Sequence, residues 1–176
     1  MEKNMINGFI TNLGKYNEGE LIGEWISFPI SEEELKEVLE RIGINEEYEE
    51  YFFTDWEIEI SNCMFGEYES IEDINDLAES VEALYSYDIN KLEAILEYEC
   101  ITLGEALDSI DNYIYYDGMN LLDVAHEIIE DCYDLPEEDI EDLAEFALRY
   151  FDYEAFARDL GFDGYYEASN GVITEG

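Results

Sequence analysis

No lysine or arginine occurs between Arg41 and Lys91, nor again between Lys91 and Arg149. Acids fill both intervals and mix with large apolar side chains, most densely in NEEYEEYFFTDWEIEI from Asn45 to Ile60. Such a chain has few cations of its own to neutralise its surface, so its fold must display the acids and keep them apart. Small units with a high surface-to-volume ratio, or an elongated shape, meet that demand. The whole chain carries 48 acidic against 7 basic residues, a formal charge of -41 on 176 residues. High charge with low hydrophobicity signals disorder, but 47% of the residues are hydrophobic and 15% aromatic, enough for a core. The chain is therefore read as folded, in one domain or in two or three small ones.

Solubility does not account for the imbalance, because a net charge of about 2 to 8 in magnitude suffices for a small domain. Halophilic adaptation would account for it and would show as folding only in molar salt. Self-repulsion among exposed acids predicts that added salt raises the melting temperature by screening. Cys63, Cys100 and Cys132 are odd in number and form no CxxC pair, so neither a disulfide framework nor a zinc site is suggested and buried thiols in a reducing compartment are expected. The first residues, MEKNMINGFI, hold too short an apolar run for a secretory signal, and no later segment approaches a membrane span. A cytoplasmic protein is the expectation. Its charge should repel nucleic acid and anionic membranes, so a basic partner is expected.

Patterning predicts an α+β chain whose character changes near residues 66 and 110. In residues 1–66, NGFITNLGKYNEGELIGEWISFPI reads as two β-like runs separated by a polar loop from Gly14 to Gly19, and Ser31 starts a helix. Ser31 and Glu34 form a capping box ahead of the helical stripe Leu35, Val38, Leu39 and Ile42, with Gly43 as its stop. Phe52, Thr54, Trp56, Ile58 and Ile60 share one parity and Asp55, Glu57 and Glu59 the other, the alternation of a half-buried strand. Residues 67–109 read as short helices forming a small bundle. Ser70 and Asp73 cap the stripe Ile71, Ile74, Leu77, Ala78, Val81, Leu84 and Tyr85, a second segment carries Leu92, Ile95 and Leu96, and Thr102 with Glu105 makes another capping box ahead of Leu103, Ala106, Leu107 and Ile110. Residues 110–176 return to mixed structure: NYIYYDG as a strand and turn, Asn120 capping a helix that buries Leu121, Val124, Ala125, Ile128 and Ile129, and Pro136 opening another with Ile140, Leu143, Ala144, Ala147, Leu148 and Phe151 inward. Asn170-Gly171 between GYYEAS and VIT is a strong hairpin signal.

No catalytic or metal constellation emerges. The one histidine, His126 in HEIIE, has Glu130 where a zincin places its second imidazole, and reads as a helix-surface or partner-packing residue. With 48 acids, paired carboxylates arise by chance. DNYIYYDGMNLLD puts tyrosines where an EF-hand needs oxygen ligands, leaving only weak, nonspecific cation binding. Gly14, Gly19 and Gly23 lack phosphate-loop spacing. Neither an enzyme nor a cofactor is expected.

The charges themselves then become the functional object. Duplex DNA carries one negative charge per ~1.7 Å of axis, so 41 net charges correspond to roughly 70 Å of duplex, and a dimer to roughly 140 Å. Alternate strand residues lie ~6.8 Å apart, which sets Asp55, Glu57 and Glu59 in a row whose spacing is comparable with that of successive phosphates. Glu46, Glu47, Glu49 and Glu50 extend this candidate acidic surface, as do Glu67, Glu69, Glu72 and Asp73, and Glu137, Glu138, Asp139, Glu141 and Asp142. The plain alternative is that these acids are solvated faces of amphipathic elements, which does not explain the whole-chain imbalance.

NLGKYNEGELIGEW (Asn12 to Trp25), EEYEEYFFTDWEIEI (Glu46 to Ile60), DVAHEIIE (Asp123 to Glu130) and FARDLGFDG (Phe156 to Gly164) together resemble the ArdA antirestriction family. The first and last segments are the most specific, residues 67 to 110 match mainly in helical and acidic character, and Met1 to Met5 stand as a variable extension. The resemblance implies an elongated homodimer of three-domain chains, with domains 1–66, 67–109 and 110–176, that imitates bent B-form DNA and occupies the DNA-binding groove of type I restriction-modification enzymes. It implies carriage on a mobile genetic element and inhibition of restriction, and of modification too, by competition with DNA. No catalytic residue carries over. It also implies dimerisation through the C-terminal domain, which makes Tyr113, Tyr115, Tyr116 and Val124 candidate interface positions, with ordinary core as the alternative. A different reading is a general acidic module that chaperones basic DNA-binding proteins.

Overall fold

The structure, a computed structural model, describes residues 5–132 and 148–176, with side chains in the helix that ends at Cys132 described through Ile129. The helix expected after Pro136, with Ile140, Leu143, Ala144 and Ala147, lies outside the described residues, as do residues 1–4. Helices accompany two sheets whose strands pair antiparallel, which makes the fold α+β. The described residues group into two compact units: one runs to Ile89 and adds Ile101–Leu107, and the other takes Asn90–Cys100 and Asp108–Gly176.

The first unit is built on three strands, β1 (Ile6–Asn12), β2 (Gly23–Phe28) and β3 (Tyr51–Ile58), in the order β2-β1-β3 and antiparallel throughout. The stretch between β1 and β2 is more ordered than its polar composition predicts. Asn12 caps a short helix, α1 (Leu13–Asn17), by accepting from the Lys15 N–H, while its Nδ2 donates to the Ile42 and Gly43 carbonyls at 3.2 Å. One buried amide thereby closes two helix ends, which sequence spacing does not reveal because the partners lie about thirty residues away. Helix α2 (Glu32–Arg41) has the expected capping box between Ser31 and Glu34, buries Val38 and Ile42, and ends at Gly43 with φ +80°.

One face of this sheet forms the core. Ile6 pairs with Phe28 and Ile58, Gly8 with Ile26 and Trp56, and Ile10 with Phe53, which puts these side chains on a common side. Ile6, Ile10, Ile26, Phe28 and Phe53 are buried there. The Trp56 ring sits 4.3 Å from that of Phe53 and 6.1 Å from that of Phe28, directly over Gly8. A β-carbon at Gly8 would come within 2.6 Å of the indole, so the close approach of that ring requires glycine.

The parity expected for β3 is half right. Its register against β1 shifts between Phe9 and Ile10, a bulge that inserts Thr54 as an extra residue. Beyond it, Trp56 and Ile58 face the core and Asp55 and Glu57 face away, as the alternation predicts; before it the sense reverses. Phe53, not Phe52, points into the core, and Thr54 is exposed, bonding Thr11 through their hydroxyls at 2.9 Å. Phe52 lies on the opposite face and is only 6% exposed, covered by the rings of Tyr16 and Tyr68 at 5.1 and 6.1 Å.

Three helices follow, α3 (Ile71–Glu82), α4 (Ser86–Glu99) and α5 (Leu103–Ser109); α3 ends short of Leu84 and Tyr85, the last two residues of its expected stripe, and Tyr85 is exposed because it falls in the link to α4. The Ser70 hydroxyl caps α3 by accepting from the Asp73 N–H, and Thr102 with Glu105 closes both arms of the expected box at α5. Asn75 on α3 exchanges two hydrogen bonds with the Ile30 backbone, tying that helix to the end of β2.

The second unit holds β4 (Tyr113–Asp117), β5 (Tyr166–Ala168) and β6 (Gly171–Glu175) in the antiparallel order β4-β6-β5, with the hairpin at Asn170-Gly171 as expected. Helices α6 (Leu121–Cys132) and α7 (Tyr153–Phe162) pack on one face, where Val124, Ala125, Ala157, Leu160 and Val172 form a buried cluster flanked by Tyr116 and Tyr165. Asn120 caps α6 through its side-chain oxygen. Against the other face lies α4 from Asn90 onward. Glu97 accepts from the Ser169 N–H and hydroxyl, Tyr98 packs on Tyr166 at 4.8 Å, and Asn170 donates to the Asn90 carbonyl. Phe151, expected to point inward, is instead 38% exposed and meets Tyr153 and Phe156 edge-on.

Candidate functional site

The described members of the acidic set all belong to the first unit, and all are exposed: Glu46, Glu47, Glu49, Glu50, Asp55, Glu57, Glu59, Glu67, Glu69, Glu72 and Asp73. Glu137, Glu138, Asp139, Glu141 and Asp142 lie outside the described residues. Three local structures present the described acids. The first is the outward face of β3, where Asp55 stands beside Phe9 and Glu57 beside Asn7. Glu59 follows just past the strand, its N–H still bonded to the Met5 carbonyl.

The second is the loop from Asn45 to Glu50. Asn45 Oδ1 accepts from the N–H groups of Glu47 and Tyr48, a turn that sets the four glutamates on either side of Tyr48. Tyr48 anchors the loop: its hydroxyl donates to Glu18 at 2.9 Å and accepts from Lys15 at 3.1 Å, and its ring closes over Gly14. Lys15 is bound to Glu18 at 2.9 Å, and these bonds hold the ammonium above its ordinary pKa and the Glu18 carboxyl below its own, through Lys15 first and Tyr48 second. Among the described residues, the cation at this loop, Lys15, is therefore already paired.

The third structure is the approach to α3. Gly66 donates its N–H to Glu69 and its carbonyl accepts from the Trp56 indole, while the Glu67 carbonyl accepts from the Phe53 N–H. Glu72 and Asp73 occupy the first turn of α3, where the helix dipole favours negative charge. Arg41 is bound to Glu24 through two hydrogen bonds of 2.8 and 2.9 Å and lies 3.6 Å from Glu37; it pulls the Glu24 carboxyl below the usual range. Glu18, Glu24 and Glu37, the acids paired with Lys15 and Arg41, are not members of the candidate set.

Aromatic side chains on the same outward face were not singled out by sequence reasoning. Trp25 of β2 sits beside Phe9 of β1, their rings 5.4 Å apart and edge to face, and the indole is 42% exposed. The available signal was the parity of Trp25 with Ser27, two places along GEWISF, but the buried face of that strand is set only by its pairing.

The candidate dimer positions divide. Val124 is 0% exposed inside the α6–α7 cluster, and Tyr115 is 4% exposed with its hydroxyl bonded to the Asn170 carbonyl and Asp117; these two sit in the unit's own core. Tyr113 and Tyr116 are half-buried. Burial, and then the hydrogen bond to Glu99, push the Tyr113 phenol up to about 12. His126 is exposed and stacks on Tyr153 at 3.8 Å. The expectation of buried thiols fails at Cys100, which is exposed, while Cys63 is half-buried and its thiol is pushed up to about 11 by desolvation; the Cys132 side chain lies outside the described set.

The family described as Antirestriction protein (ArdA) matches residues 8–174, which span every strand of both sheets except the first two residues of β1 and the last of β6. The chain belongs to the ArdA antirestriction family. Among individually curated proteins, none matches the chain. ArdA membership carries an antirestriction function, and with it an interaction with restriction enzymes, and it places the chain among inhibitor proteins. Among the described residues no helix is long and apolar enough to cross a membrane, and no group of three or more His, Cys, Asp or Glu is arranged to hold a metal ion.

Proposed function

We propose that this chain blocks restriction by imitating DNA: its exposed acids occupy the DNA-binding groove of a type I restriction-modification enzyme and meet the lysines and arginines that otherwise hold phosphates. The observation that carries this reading is the exposed acidic set of the first unit, which Lys15 and Arg41 leave alone because both are engaged elsewhere. Asp55 and Glu57 stand two residues apart on one strand face, ~6.8 Å along it, a separation within reach of successive phosphate contacts. Competition then follows from charge and shape, with no bond made or broken. In this reading the functional form is an elongated homodimer of three-domain chains (1–66, 67–109 and 110–176), cytoplasmic and encoded on a mobile element, and it inhibits modification as well as restriction.

The test is competition. Purified protein is expected to displace duplex DNA from a type I methyltransferase core at low salt and to lose affinity steeply as salt rises, as ionic protein–DNA contacts do. No displacement at stoichiometric concentration sinks the proposal. Equal binding to a histone-like protein in a parallel titration would replace it with the general acidic module.

A further inference from the structure

The outward face of the β2-β1-β3 sheet combines charge with an exposed aromatic floor. Across its middle run Trp25, Phe9 and Asp55, one on each strand, and the next row is Ser27, Asn7 and Glu57. Phe9 is half-buried, its ring leaning over Gly23, where a β-carbon would come within 2.5 Å of it; this fixes the ring beside the edge-on indole. Ser27 and Asn7 satisfy one another at 2.6 Å and leave the floor of the second row uncharged. Asp55 accepts from the N–H of its neighbour Trp56, and the Glu57 carboxylate has no protein partner among the described residues.

We propose that this face docks arginine side chains of a basic protein partner, with Trp25 and Phe9 as the platform and Asp55 and Glu57 as the anionic edge. The proposal rests on the inhibitor reading for the identity of that partner but not for the chemistry of the face. Charge complementarity selects the occupant: on a chain of net charge -41 with no lysine or arginine from residue 42 to residue 90, this acidic face repels another like it and attracts cations. The aromatic platform selects among cations. A guanidinium is planar and weakly hydrated, stacks on indole and forks to a carboxylate, whereas an ammonium is a compact, strongly hydrated charge. The dimensions agree. Trp25 and Asp55 lie two strand spacings apart, about 10 Å, which a guanidinium spans when it sits within about 6 Å of a ring and donates over about 3 Å to the carboxylate. A row of phosphates offers no such platform, so this face adds to any DNA-like charge a contact that salt screens less.

The test titrates the full chain with octa-arginine and with octa-lysine, following the two indole N–H resonances by NMR; Trp25→Phe assigns them. Octa-arginine is expected to shift the Trp25 resonance and to bind about 5-fold more tightly than octa-lysine, with that preference lost in Trp25→Ala and reduced in Asp55→Asn. Equal affinities for the two peptides, or a preference that survives in both Trp25→Ala and Asp55→Asn, overturns the proposal. So does a Trp25 shift that appears on concentrating the protein alone, which would assign the face to self-association. Should Trp25→Ala fail to fold, Trp25→Leu and Asp55→Asn decide. A second arm measures displacement of duplex DNA from the methyltransferase core. About 5-fold weaker competition by Trp25→Ala supports the arginine surface. Undiminished competition by that variant overturns it and leaves the DNA-mimic reading standing. If the wild type itself fails to compete, the DNA-mimic reading falls and the peptide titration alone decides the arginine surface.

Discussion

In the first unit, the β2-β1-β3 sheet buries Ile6, Ile10, Ile26, Phe28 and Phe53 on one side and holds Trp25, Thr54, Asp55 and Glu57 in solvent on the other. In the second, the β4-β6-β5 sheet has α6 and α7 over Val172 and Tyr116 and α4 over Tyr166. The strands record this difference. Four consecutive residues of β6, Gly171 to Thr174, are buried, whereas β3 alternates beyond its bulge. A sheet covered on both faces reads as a continuous apolar run and a half-covered sheet as an alternating one. Two sheets of equal strand number therefore serve different ends: one stabilises its unit from both sides, and the other keeps a face free to carry charge.

The largest expected effect breaks or sustains that contrast directly. Phe53→Ala should cost about 3–5 kcal/mol and Ile173→Ala about 2–5 kcal/mol in urea unfolding, because both side chains are fully enclosed. Trp25→Ala on the outward face should cost about 1 kcal/mol or less. A loss at Trp25 equal to that at Phe53 would mean that the outward face is covered.

Gly8→Ala tests the inward face from the backbone side. Its added methyl meets the Trp56 and Phe53 rings at 2.6 and 2.9 Å, so a loss of about 1–3 kcal/mol is expected from overpacking. Stability unchanged within a few tenths would place the Trp56 ring elsewhere.

The smallest effect separates the units by pH. In the second unit, burial and Glu99 raise the Tyr113 phenol from 10.0 to about 12. The folded state holds that proton more tightly, so the contribution is fully present below pH 10 and is lost as pH rises towards 12. In the first unit, Arg41 lowers the Glu24 carboxyl, so its contribution is present above the unperturbed value of 4.5 and is lost as pH falls through the lowered one. Tyr113→Phe should remove one late-titrating phenol from the alkaline absorbance curve and leave the acid limb of a stability profile unchanged. A Tyr113 that titrates with the exposed tyrosines would contradict its enclosure by α4.

Much of the fold was legible because its signals are local. The capping boxes at Ser31–Glu34 and Thr102–Glu105 need only residues three apart, and the Asn170-Gly171 hairpin needs only a turn between two apolar runs. The exposure of the described acidic residues was equally legible, since so many acids among so few cations have nowhere to go but water. Less visible was whatever depends on a distant partner: α1, whose cap Asn12 also holds the end of α2, and Phe52, whose cover comes from Tyr16 and Tyr68. The residues expected at a dimer contact include Val124 and Tyr115, whose apolar and aromatic character serves a core as well as an interface.

By itself the sequence determined most of the segments that are helix or strand, where most of the described helices are capped, and that the chain would be overwhelmingly negative, because caps, periodicity and charge are properties of neighbouring residues. Only the tertiary structure decided which way the side chains of β3 point before its bulge. The extra residue at Thr54 exists only relative to β1, and a slip of one residue exchanges the two faces of a strand. That pairing sends Phe53, not Phe52, into the core, and it places Asp55 and Glu57, outward as their alternation already implied, on the face that also carries Trp25.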